Sequence, residues 1–127
     1  MDISFIDNFI TKQEKKDFIE AENVLKKDEY AAIPLYLHKI GMLKNKYFHF
    51  YSQVELKLKI LEAKYDPDIR KNLIKLYGKK ISEKSVDRTL YNYNDIKYLK
   101  EELNKFQIVF SCFNTLYDSL KTLSYSK

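Results

Sequence analysis

Glycine and proline are nearly missing from this chain, with two of each among 127 residues. Turn-rich β-sandwiches, phosphate-cradling loops and nucleotide-binding crossovers need those residues, so their scarcity excludes such folds and points to helices. Cysteine is as scarce. The single thiol, Cys112, lies in the apolar run Phe106 to Phe113, so no internal disulfide can form, a reducing compartment is expected, and the thiol reads as a core group. Long hydrophobic runs are absent too. The longest uncharged stretch, Phe106 to Tyr117, has 12 residues, too short to cross a bilayer, and the N-terminus opens on Asp2 rather than on a basic region followed by an apolar one. A soluble, unprocessed chain without a membrane partner is expected.

Catalytic constellations are missing as well. His38 and His49 lie eleven residues apart, three turns along one helix, and no cysteine or carboxylate pair completes a ligand set, so no metal site is expected. The apolar neighbours of Cys112 raise a thiol pKa rather than lower it, which argues against a nucleophile. Gly41 and Gly78 stand alone. The chain reads as a non-enzyme with no cofactor.

What is present is enough apolar surface for one domain's core, at 45% hydrophobic residues, and a charge that is unevenly spread. Residues 1 to 38 carry a net −3, residues 39 to 88 a net +7 and residues 89 to 127 a net +1. A basic middle flanked by an acidic arm suits a polyanionic partner, although solvated lysine-rich helices produce similar numbers.

From Ile33 to Tyr65 the apolar residues return every seven: Ile33, Ile40, Tyr47, Val54 and Leu61 in one row, Leu37, Tyr51, Leu58 and Tyr65 in the other, Lys44 being the exception. Pro34 suits a first helical turn and Pro67 drives its predecessor out of helical geometry, so the spacing predicts a helix from about Pro34 to Tyr65. A second predicted helix runs from Ile96 to Leu123, with Ile96, Leu103, Phe110 and Tyr117 alternating with Leu99, Phe106, Phe113 and Leu120, and with Asn94 and Asp95 as its N-cap and favourable negative charge. Between them, Asp68 to Tyr77 reads as a short helix closed by Gly78. Lys79 to Arg88 is mostly polar, and Thr89 to Tyr93 fits either an extended segment or a helical turn. Residues 1 to 29 suggest one or two short amphipathic helices, broken near Thr11 or Asn23. The expected fold is all-α, two long helices in an antiparallel hairpin with short N-terminal and linker helices. Its divisions are an acidic helical arm (1–29) and a hairpin core (30–127) with a basic linker (66–93).

Both long helices carry more apolar surface than one hairpin covers, so self-association is expected, with Phe106, Phe110, Phe113, Tyr117 and Leu120 as the interface. The basic run is interleaved with tyrosines: Lys57, Lys59, Lys64, Tyr65, Arg70, Lys71, Lys75, Tyr77, Lys79 and Lys80, then Lys84, Arg88, Tyr91 and Tyr93. Cations that track phosphates and flat rings on which bases stack are what a single-stranded nucleic-acid binder needs, and the first ten are the candidate binding residues. The plainer alternative is an adaptor whose tyrosines close hydrophobic seams and whose lysines are solvated.

The layout over residues 30 to 127 resembles the UvsY family, the recombination mediators of tailed phages. The likeness rests on Ile33, Pro34, Leu37 and His38 opening a long helix, then a basic segment leading to a tyrosine-glycine element. That element is placed either at Lys64-Tyr65, followed here by Asp66-Pro67, or at Leu76, Tyr77, Gly78 and Lys79. The last helix opens at Asn94, Asp95 and Ile96 and continues through Phe106 to Phe113 and Leu120-Lys121. The resemblance implies a closed, ring-like homo-oligomer that binds single-stranded DNA. It also implies that the protein helps a RecA-like recombinase displace the single-strand DNA-binding protein, in the cytoplasm of a phage's host cell.

Overall fold

A computed structural model describes residues 6–78 and 81–125. Every regular element among them is helical: α1 (Lys12–Lys27), a 3-10 turn (Tyr30–Ala32), α2 (Ile33–Tyr77), α3 (Glu83–Tyr91) and α4 (Asn94–Tyr125). The all-α class expected from the sequence is what is observed. No helix among the described residues is long and apolar enough to cross a membrane.

Two compact units divide the chain, Met1–Tyr51 with Lys105–Lys127, and Ser52–Asn104. In the first, α1 is started by a reciprocal cap: Glu14 N–H donates to the Thr11 hydroxyl, and Thr11 N–H to the Glu14 carboxylate. The break expected near Thr11 or Asn23 therefore falls at Thr11, and Asn23 lies inside the helix. The inner face of α1, Phe18, Ala21 and Val24, is buried with Ile33, Ile40 and Tyr47 of α2 and Val109, Phe113, Leu116 and Leu120 of α4. Residues 12–27 thus share a core with the long helices. Along α2 and α4 the contacts run in falling order. Gly41 faces Tyr117, where a Cβ would come within 3.2 Å of the ring. Lys44 reaches Asn114 at 3.3 Å, Phe48 meets Phe110 at 5.3 Å between ring centres, and Phe50 meets Phe106 at 5.4 Å.

The second unit corrects the expected boundaries. α2 does not stop at Tyr65 but continues as one 45-residue helix through Pro67 to Tyr77. Proline removes the hydrogen bond to the Ala63 carbonyl, and Pro67 and Ala63 both lie on the exposed side of the helix. The gain lies on the other face. Leu58 before the proline and Ile69 after it are buried in one cluster with Val86 and Leu90 of α3 and Ile96 of α4, and Arg70 bridges to Asp66 at 2.8 Å across the proline position. Gly78, at φ +87°, ends the helix as expected. Thr89 to Tyr91, left open by the sequence, belongs to α3, whose Ser82 cap accepts from Ser85 N–H at 3.2 Å. Asn94 is the first residue of α4 rather than its cap, the Tyr93 carbonyl accepting from Lys97 N–H at 2.9 Å.

Candidate nucleic-acid interface

The acidic arm meets the basic segment inside the first unit. Glu14, only 5% exposed, accepts from Tyr47 Oη and Lys46 Nζ, each at 2.7 Å. Asp17 lies 3.8 Å from Lys39, and Tyr36 donates to Glu20 at 2.7 Å. Lys39 and Lys46, counted in the basic middle, are engaged there. Apart from Lys46, the exposed cations of the basic middle among the described residues lie in the second unit.

On α2 in that unit, Lys57, Lys64, Lys71 and Lys75 are exposed and spaced seven, seven and four. At 1.5 Å per residue and 3.6 residues per turn they form one row about 27 Å long. Asp68 falls in the same row and interrupts it. Lys59 is on another face, 3.5 Å from Glu55. Lys79 and Lys80 lie outside the described residues.

Two of the expected binding residues are committed to the fold. Tyr65 is stacked on Tyr93 at 4.3 Å with the rings 14° apart, and its hydroxyl donates to Asp95 at 2.6 Å. That hydrogen bond holds the phenol above its ordinary pKa. Arg70 is held between Asp66 and both oxygens of Glu83, the latter at 3.0 and 3.1 Å. Neither offers a free face as placed. Tyr77, by contrast, is 74% exposed.

The oligomer residues are also redistributed. Phe113 and Leu120 are wholly enclosed, Phe113 being edge-on to Phe18 and stacked on Tyr47, each at 5.7 Å, so they present nothing to a second copy. Phe106, Phe110 and Tyr117 are half-buried against the same core. Part of the exposed apolar surface of α2 is a row spaced every seven, Leu35, Met42, His49, Leu56 and Ala63, with Phe48, Ile60, Ile74 and Leu76 exposed off that row. His38 is exposed as well. Further groups were missed at the start of α4, where Lys97 and Tyr98 are exposed and Lys100 is half-buried. The same alternation of bases and rings was legible there, but the segment read as part of an apolar helix.

These features define an all-helical protein with a lysine-rich surface and no assembled catalytic group among the described residues. Comparison with family models, with curated proteins and with solved structures found no match.

Proposed function

We propose that this protein is a non-enzymatic, single-stranded DNA-binding recombination mediator. In this reading it helps a RecA-like phage recombinase onto single-stranded DNA covered by single-strand DNA-binding protein, in the host cell's cytoplasm. The observation that carries the reading is the exposed row Lys57, Lys64, Lys71 and Lys75. Cations about 10 Å apart along a helix suit a flexible polyanion that is tracked without base readout. Exposed rings in the same unit, Tyr77 and Tyr98 among them, supply stacking faces for unpaired bases. The falling order of α2–α4 contacts supports treating the long helices as an antiparallel hairpin. Copies assemble into a closed ring through the outer row of α2, and repetition of the lysine row in every copy multiplies weak phosphate contacts.

The test is salt-dependent binding to a labelled oligonucleotide. Lys57→Glu with Lys64→Glu should lower affinity for all single-stranded sequences alike and flatten the logarithmic salt slope by about 0.7 for each phosphate that is no longer neutralised. Asp68→Asn, which removes the one carboxylate in the row, should strengthen binding. If the double reversal leaves binding unchanged in a folded protein, the row is solvated surface and the adaptor reading replaces this one.

A further inference from the structure

Resting on the DNA reading, the geometry points to a single-nucleotide subsite between α3 and the first turns of α4. We propose that one base of the strand stacks on Tyr91 while its adjoining phosphate is held by Arg88 and Lys100. The site is a shallow pocket of about 500 Å³ lined by Asp87, Arg88, Tyr91, Asn92 and Lys100, all within the second unit.

Helical register builds it. Val86 and Leu90 bury the inner face of α3, which leaves Lys84, Arg88 and Tyr91, spaced four and three, on the outer side. Asn92 closes the helix, its backbone N–H turned back to Thr89 and Leu90 carbonyls. The Tyr91 ring is 43% exposed, enough to offer a face. Lys100 Nζ stands 5.5 Å from that ring's centre. The half-buried Lys100 makes a single cation–ring contact that a stacked base can replace, and the lysine stem is long enough to swing its charge onto the phosphate. A stacked base and a bound phosphate thus use the two ends of one nucleotide.

Asp87 gives the pocket a preference. Its carboxylate only accepts hydrogen bonds, so it suits a base with an exocyclic amino group, as on cytosine, and not thymine, which offers acceptors there.

The experiment uses the full chain with a cytosine oligonucleotide, a thymine oligonucleotide and an abasic strand of equal length. Tyr91→Ala should weaken cytosine-strand binding by about fivefold to a hundredfold. It should leave the salt slope and abasic-strand binding unchanged, and Tyr91→Phe should restore affinity. Asp87→Ala should remove the preference for cytosine over thymine. Because the chain has no tryptophan, Tyr91→Trp supplies a single fluorescent reporter that the cytosine strand should quench and the abasic strand should not. Equal weakening on normal and abasic strands, or no weakening and no quenching while the unaltered protein still binds DNA, would overturn the subsite alone. Failure of the unaltered protein to bind any oligonucleotide at low salt would remove the DNA reading, and the subsite with it.

Discussion

Glu14 does two jobs with one carboxylate, capping α1 and accepting from Tyr47 and Lys46 of α2. Burial by itself raises its pKa, but the bonds from Lys46, from Thr11 N–H and from Tyr47 outweigh that and hold it below the usual value. A lowered folded pKa stabilises fully above the unfolded value of about 4.3 and is lost as pH falls through it. Tyr47 behaves oppositely. Burial and the bond to Glu14 hold its phenol well above the ordinary range, so its contribution is full below about pH 10 and is lost as pH rises further. Tyr47→Phe should cost about 1.5–3 kcal/mol at neutral pH and flatten the alkaline limb of a plot of melting temperature against pH. Glu14→Gln should remove the acid limb instead. Cys112, half-buried beside the first core, has its thiol pushed up by burial. A thiol reagent at neutral pH should label it slowly in the native protein and quickly after denaturation.

At the scale of the element, the decisive feature is Pro67 within α2. A proline in a helix interior costs about 3 kcal/mol relative to alanine, and this one persists because Leu58 and Ile69 on either side of it are buried together. Pro67→Ala should therefore stabilise the protein, by up to about 3 kcal/mol, read as a higher urea midpoint with an unchanged slope. A lower midpoint would mean that the helix is bent there for a purpose.

For the whole molecule, a buried apolar row and an exposed one answer differently to an added charge. Phe113 is fully enclosed in the first core, so Phe113→Lys should lower the melting temperature by unfolding the chain itself. Met42 and Leu56, each 61% exposed, have no such duty. If copies join through the outer row of α2, light scattering should return a multiple of 15.3 kDa. Met42→Lys with Leu56→Lys should then reduce that mass without lowering the melting temperature. A mass of 15.3 kDa across micromolar concentrations would defeat assembly.

The helical class was legible in the chain because period and composition are local properties: two prolines, two glycines and two sets of heptad rows admit little else. Thr11 was one of two breaks the sequence offered, and Gly78 was legible as a helix stop, though of a separate short helix, since caps act within a turn. The tertiary structure alone decided the end of α2, because Pro67 is a local breaker overruled by a cluster that α3 and α4 bring to Leu58 and Ile69. It also decided which heptad row is covered. Ile40 and Leu35 sit on equally regular rows, and only the arrival of α1 and α4 buries the first and leaves the second in water. Charge follows the same rule. Sequence counts Lys46 and Lys64 alike, whereas packing sets one against a buried glutamate and leaves the other exposed, because partners distant along the chain are brought together only by the fold.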